Sequence, residues 1–102
     1  MKYPLKMTRT AHGLKAAELP QSLQEVAEFL VIVQDERLLN EYVTLIHRVQ
    51  DGRSQQETCG LNGLVAKIKK HKTVVINQHF NTSCEIETNE FLNIINTFLE
   101  WN

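Results

Sequence analysis

The run Lys72-Thr73-Val74-Val75-Ile76-Asn77-Gln78-His79-Phe80 constrains the fold more than any other part of this chain. It is rich in β-branched residues, and its segment Thr73 to Ile76 predicts a strand, because such side chains fit a pleated surface. An amphipathic helix follows soon after. Thr88 is its predicted N-cap, and apolar residues recur on one broad face as far as Trp101. A strand followed directly by a helix with a large apolar face indicates an α+β domain.

Three further segments have the composition of strands. Leu64 to Ile68 precedes the first run across a charged turn, and a weaker strand is predicted from Gln55 to Cys59. An antiparallel meander of three strands is the most economical arrangement. Ser83 to Ile86 adds a short fourth strand before the last helix.

The N-terminal half predicts a hairpin followed by a helix. Two weak strand segments, Tyr3 to Thr10 and Leu14 to Glu18, flank the turn-forming Ala11-His12-Gly13. Ser22 is then a predicted helix cap, and Glu25 stands three residues later, as a capping box requires. We therefore expect the first helix to begin at Ser22.

Apolar residues recur at steps of three or four from about 22 to 50, which predicts one long helix. Asp35 followed by Glu36 can instead cap a second helix, so a break at 34 to 36 is the alternative. The run Phe29 to Val33 is apolar all round. It must be buried on more than one side or shared with a second chain.

The predicted fold is α+β, with a long helix in the N-terminal half and a short C-terminal helix packed on a small antiparallel sheet. The 102 residues have the length of one domain, spanning 1–102. Hydrophobic side chains make up 42% and charged ones 23%, as in an ordinary globular protein. Neither a signal peptide nor a run of about 20 apolar residues is recognised. We therefore expect a cytoplasmic protein without a membrane partner.

No residue pattern predicts catalysis, a metal site or a cofactor. Cys59 and Cys84 are too far apart in sequence to form the close ligand pair of a structural zinc site, and we expect reduced thiols rather than a disulfide. The four histidines stand in unlike contexts, without an adjacent carboxylate and nucleophile: His12, His47, His71 and His79. The sequence therefore favours a binding protein over an enzyme.

Two charged clusters supply the candidate partner-binding residues. The basic cluster surrounds a predicted turn: Lys67, Lys69, Lys70 and Lys72. The acidic cluster is expected on the exposed side of the long helix: Glu25, Glu28, Asp35 and Glu36. Either can steer a partner of opposite charge, although lysines at a turn also discourage edge pairing of strands. The net charge of −1 gives no general attraction for nucleic acid, which is not the expected partner.

The tail Cys84-Glu85-Ile86-Glu87-Thr88-Asn89-Glu90-Phe91-Leu92-Asn93-Ile94-Ile95-Asn96-Thr97-Phe98-Leu99 resembles the strand-then-helix ending of small bacterial immunity proteins, which neutralise contact-dependent growth-inhibition toxins. The order of hairpin, long helix, meander and C-terminal helix is also similar. The resemblance implies a protein that binds a cognate toxin domain in a tight complex. The chain equally resembles orphan proteins of mobile gene cassettes. The alternative function is a homo-oligomeric adaptor or regulatory domain, such as a homodimer that buries Phe29 to Val33.

Overall fold

Six strands and three helices form the protein, and a computed structural model describes residues 1–102. The α+β class and the antiparallel sheet are confirmed. A short 3-10 turn, Gln21–Leu23, precedes the first helix. The elements in chain order are β1 (Lys6–Arg9), β2 (Lys15–Glu18), α1 (Gln24–Ile32), α2 (Glu36–Gln50), β3 (Gln56–Leu61), β4 (Leu64–Lys69), β5 (Lys72–Asn77), β6 (Thr82–Glu87) and α3 (Thr88–Glu100).

The larger sheet is an antiparallel meander in the order β3-β4-β5-β6, and β1 and β2 form a separate hairpin. The segment predicted from Ser83 to Ile86 is confirmed as β6. Asn62 and Gly63 join β3 to β4 with φ values of 51° and 82°, the left-handed pair that a two-residue type I′ turn requires. Both cysteines are free and lie on opposite edge strands, with β4 and β5 between them.

All three helices pack against one face of this sheet. The Phe29 ring of α1 is at their meeting point, with centroids 6.0 Å from Tyr42 of α2 and 5.7 Å from Phe91 of α3. Beneath the helices, Ala66 and Val75 are fully buried. Burying a Phe side chain of this kind contributes about 1.5–3 kcal/mol relative to leaving it exposed. The hydrophobic core therefore lies between the helices and one face of the sheet.

The predicted long helix is not continuous. α1 ends at Ile32 and α2 begins at Glu36, so the single-helix prediction is wrong and the alternative break at 34 to 36 is confirmed. Gln34, the polar residue at the break, explains the bend. Its side-chain amide accepts from the backbone N–H of Lys15 at 3.1 Å and donates to the Lys15 carbonyl at 2.7 Å. The bend therefore fastens β2 to the helical layer.

Two predicted caps are also wrong. Ser22 is exposed and makes no capping bond, because Pro20 begins a 3-10 turn, and α1 then starts at Gln24. Thr88 is the first residue of α3 rather than its N-cap. Its hydroxyl is turned into the core, where it donates to the Lys69 carbonyl at 2.6 Å. Both residues have the chemistry of a cap, but Leu23 and Glu87 occupy the N-cap positions and neither makes a side-chain capping bond.

The apolar run from 29 to 33 is buried mainly inside the chain. Phe29, Leu30 and Val33 have no exposed surface, whereas Ile32 is 37% exposed. The expectation of burial on more than one side is confirmed, because α1 is covered by the sheet, by the other helices and by β2. None of the helices combines the length and hydropathy needed to cross a membrane.

The N-terminal part of the chain is fastened at both ends of α3, by the hairpin at its last turn and by residues 2 and 3 at Glu87, which directly precedes it. Lys15 Nζ donates to the Phe98 carbonyl at 2.9 Å, and the Arg9 guanidinium lies 5.0 Å from the Trp101 ring centroid. At the other end, Glu87 accepts hydrogen bonds from Lys2 and, at 2.6 Å, from the Tyr3 hydroxyl. The cations near the last turn also complement the negative end of the helix dipole.

Candidate partner-binding surface

The face of the large sheet that is turned away from the helices is uncovered. Residues alternate along the central strands, and those on the helix side are buried while the others are half-buried or exposed. We call this uncovered side the open face. It consists of Gln56, Thr58 and Gly60 of β3, Val65, Lys67 and Lys69 of β4, Lys72, Val74 and Ile76 of β5, and Ser83, Glu85 and Glu87 of β6.

The open face has an apolar centre with lysines beside it. Val65 is opposite Ile76, and Lys67 is opposite Val74. Directly opposite residues in an antiparallel pair have Cβ atoms about 4.5–5.5 Å apart, and diagonal neighbours are about 7–8 Å apart. Val65 is opposite Ile76 and diagonal to Val74, so these three apolar side chains form one contiguous patch. Since each of them is only half-buried, the patch keeps apolar surface that a partner can cover.

Two of the lysines on the open face form no ion pair. Lys72 Nζ lies 3.3 Å from Glu85 Oε2, and both side chains are well exposed, so this ion pair contributes little to stability. Lys67 and Lys69 take part in none of the four ion pairs of the protein. Lys70, in the adjoining turn, is likewise exposed and outside those pairs. The predicted basic cluster is therefore brought together on one side of the sheet, with most of its charge uncompensated.

The first two residues of the acidic cluster are not on an exposed face. Glu25 and Glu28 are half-buried on the side of α1 that faces β5 and β6. Glu28 Oε1 accepts from Asn77 Nδ2 at 3.2 Å. Glu25 lies beside the Cys84 thiol, where burial, and then the Glu25 carboxylate, raise the pKa of Cys84. These glutamates serve the contact between helix and sheet.

The other two acidic residues lie at the start of α2. The Asp35 carboxylate accepts from the backbone N–H groups of Arg37 at 2.8 Å and Leu38 at 3.3 Å, and thus caps the helix. Glu36 is exposed in the first turn. Because the helix breaks between the two pairs, the four residues do not form the shared acidic face that the sequence suggested.

The free edge of the sheet at β3 is shielded. The Tyr42 hydroxyl donates to the Gly60 carbonyl at 3.0 Å, and Ser54 Oγ donates to the Gln56 carbonyl at 3.0 Å. Both carbonyls would otherwise be available to a strand from another chain. The edge is therefore less open to β-pairing, and the open face remains the larger uncovered part of the sheet.

The turn between β5 and β6 contains residues whose role the sequence did not reveal. The strand ends at Asn77, one residue beyond the predicted Ile76, and Asn77 Oδ1 accepts from the backbone N–H groups of His79 at 2.9 Å and Phe80 at 3.3 Å. His79 consequently lies in the turn and not on a strand face with Asn77. The signal was present, because Asn77 and Asn81 are both turn formers, and Asn81 adopts a left-handed φ of 54°.

The thiols are poorly suited to nucleophilic chemistry. Burial raises the pKa of Cys59 to about 12 and that of Cys84 to about 11, so both are protonated at neutral pH, whereas the thiolate is the reactive form. The structure groups no three His, Cys, Asp or Glu side chains as candidate metal ligands. Its surface depressions are shallow, and the largest is lined by residues 4–6 and 18–20.

Similarity to known proteins gives no assignment for these surfaces. No protein-family model, curated protein or solved structure matches the chain.

Proposed function

We propose that the protein is a binding module of the bacterial immunity type, which neutralises a cognate toxin domain by forming a tight complex in the cytoplasm. The observation that carries the proposal is the open face. It combines an apolar centre of Val65, Val74 and Ile76 with the uncompensated charges of Lys67 and Lys69. Protein interfaces typically combine an apolar core with a polar rim.

The charge of the open face indicates a partner with an acidic surface. Complementary charges raise association rates by one or more orders of magnitude at low salt, and they act mainly on the approach of the two proteins. The acidic residues of α1 and α2 give less support to a basic partner, because Glu25, Glu28 and Asp35 are already engaged within the chain. We therefore assign the contact to the basic cluster.

The test uses the product of the neighbouring gene as the toxin candidate. Lys67→Glu combined with Lys69→Glu should lower the association rate constant at least about tenfold at low salt, and added salt should narrow that difference. The matched control is Lys6→Glu with Arg37→Glu, which changes the net charge equally at exposed positions away from the open face. Surface plasmon resonance gives both rate constants.

Three results would count against the proposal. One is the absence of a one-to-one complex with the wild-type chain, and another is an equal loss of association rate in the control variant. A third is wild-type binding to nucleic acid in place of the toxin candidate. Growth of cells that express the toxin candidate provides the functional readout, since co-expression of the wild-type chain should restore it.

The alternative is a homo-oligomeric adaptor or regulatory domain. The packing gives it less support than the sequence did, because Phe29, Leu30 and Val33 are fully buried in the chain's own core and only Ile32 of that run is substantially exposed. Sedimentation at micromolar concentration separates the two functions. A stable dimer that does not bind the toxin candidate would favour the adaptor.

A further inference from the structure

Phe80 is the most exposed large hydrophobic side chain in the protein, with 73% of its surface accessible. It lies in the short turn at 78–81 between β5 and β6, at the end of the sheet opposite to the lysine-bearing turn. Single exposed apolar residues are common on protein surfaces and need no explanation by themselves. What distinguishes Phe80 is the structure of the turn that holds it.

The turn is braced from below by Asn77. This residue is only 4% exposed, and its Oδ1 accepts from the backbone N–H groups of both His79 and Phe80. Its Nδ2 donates to Glu28 on α1. The backbone of the turn is thereby linked through a single buried side chain to the helical layer.

The turn is braced from the side by the neighbouring hairpin. His79 Nε2 lies 2.8 Å from the Asn62 carbonyl oxygen, and the backbone N–H of Gln78 donates to the Gly63 carbonyl at 2.8 Å. The imidazole lies directly on the bare backbone of Gly63, where an added Cβ would approach Nε2 to 2.6 Å. The two turns at this end of the sheet therefore form one connected unit.

A turn whose backbone is already held by hydrogen bonds has little backbone freedom to lose when a partner covers the side chain that it carries. Ordering a mobile interface side chain costs about 0.5–1.5 kcal/mol, and the ordering of a loose loop adds to that cost. Aromatic residues that are held in position are also the usual centres of binding energy in protein interfaces. The bracing thus favours Phe80 as a contact residue.

We infer that Phe80 is an anchor that inserts into an apolar cleft of the toxin domain, an inference that rests on the proposed function. Apart from His79, whose ring nitrogen is engaged by the Asn62 carbonyl, the residues around it are uncharged: Gln78, Asn81 and Thr82. This end of the protein therefore fits an apolar cleft better than an acidic surface. Because the six residues of β5 rise about 3.3 Å each, the anchor lies about 20 Å from the lysine-bearing end. A standard interface, with about 800 Å² on each partner, is wide enough to include both.

The two contacts should affect different rate constants. Charges act on the encounter, whereas a buried anchor acts on the lifetime of the complex. With the product of the neighbouring gene as the probe, Phe80→Ala should raise the dissociation rate constant about 30-fold, as expected for a central anchor, and should change the association rate less than about threefold. Lys67→Glu combined with Lys69→Glu should instead lower the association rate constant and change the dissociation rate constant less.

Leu14→Ala is the matched control. Leu14 is 42% exposed beside the turn of the other hairpin, so its truncation also removes an exposed apolar side chain. It should change the dissociation rate less than about twofold. Because Phe80 is exposed, its truncation should leave the unfolding midpoint unchanged, which excludes misfolding as the cause of lost affinity.

The outcomes separate this inference from the proposed function. If the wild-type chain binds and the lysine reversals slow association, but Phe80→Ala leaves dissociation unchanged, the anchor is overturned and the proposed function stands. If both Phe80→Ala and Leu14→Ala accelerate dissociation equally, the anchor is likewise overturned. If the wild-type chain does not bind the toxin candidate, both proposals fall.

Discussion

The hydroxyl oxygens of Thr73 and Thr88 lie 2.9 Å apart, with both residues fully buried. The Thr88 hydroxyl donates its proton to the Lys69 carbonyl, so Thr73 is the donor in the bond between the two threonines. The backbone N–H of Thr88 donates to the His71 carbonyl at 3.0 Å. The first residue of α3 therefore holds the β4–β5 turn, and with it the basic cluster, in a fixed position.

Thr88→Val should destabilise the protein by about 1–3 kcal/mol. The substitution retains the shape of the side chain but leaves the Lys69 carbonyl and the Thr73 hydroxyl without their buried partner. Urea unfolding measures the change. Thr97→Val is the control, because Thr97 bonds only to the Asn93 carbonyl within the same helix, and it should cost less than about 0.5 kcal/mol. Equal losses in the two variants would contradict the role assigned to Thr88.

Asp35→Ala should lower the free energy of unfolding by about 0.5–2 kcal/mol, the usual cost of removing an N-cap. Ser22→Ala, at the residue that the sequence suggested as a cap, should change it by less than about 0.5 kcal/mol because the Ser22 side chain makes no capping bond. Chemical denaturation of both variants tests the break between α1 and α2. A larger effect at Ser22 than at Asp35 would be inconsistent with the break.

Glu87 should make folding stability depend on pH below about pH 5. Hydrogen bonds from Lys2 and then Tyr3 lower the pKa of this carboxyl to about 2, against about 4.3 in an unfolded chain. A lowered pKa in the folded state means that the stabilisation is complete above the unfolded value and is lost as the pH falls towards 2. In thermal unfolding, the melting temperature of the wild-type protein should be higher than that of Glu87→Gln at pH 6. This difference in melting temperature should shrink as the pH falls towards 2. A difference that is independent of pH would argue against the lowered pKa.

Neither thiol should react readily while the protein is folded. Burial holds the pKa of Cys59 at about 12 and that of Cys84 at about 11, so almost no thiolate is present at pH 8. A colorimetric disulfide reagent should label both cysteines quickly in about 8 M urea, which unfolds the protein. Labelling of the folded protein without urea should be slow. Rapid labelling of the folded protein would show that at least one thiol is more accessible than the structure indicates.

The meander and the C-terminal helix could be predicted from sequence because their signals are local. Val74 and Ile76 alternate with buried residues within one strand, and the same alternation recurs in β4. The helix break could not be decided in this way. The periodicity of apolar residues continues past Gln34 and favours one helix, whereas Asp35 as a cap favours a break. The contact of Gln34 with Lys15, nineteen residues earlier, holds the bend and lies outside the range of both local signals.

Only part of the candidate site could be predicted from sequence, because only part of it depends on residues close together in the chain. Lys67, Lys69 and Lys72 come together because a turn joins neighbouring strands, a short-range relationship that the sequence contains. The acidic cluster depended on a continuous helix and is divided where that helix breaks. The position of Phe80 on a turn held by Asn77 was not predicted, since the side-chain bonds that Asn77 makes to this turn are not visible in hydrophobic periodicity.

The attachment of the N-terminal hairpin affects the order in which the protein can be completed during synthesis. Lys15 is bonded to a residue 83 positions later, and Lys2 to one 85 positions later. The hairpin therefore leaves the ribosome long before its partners on β6 and α3 exist, while the β3–β6 meander depends on neighbours in the chain. The hairpin can reach its final position against α3 only after that later helix has been made, although β1 and β2 can pair with each other earlier.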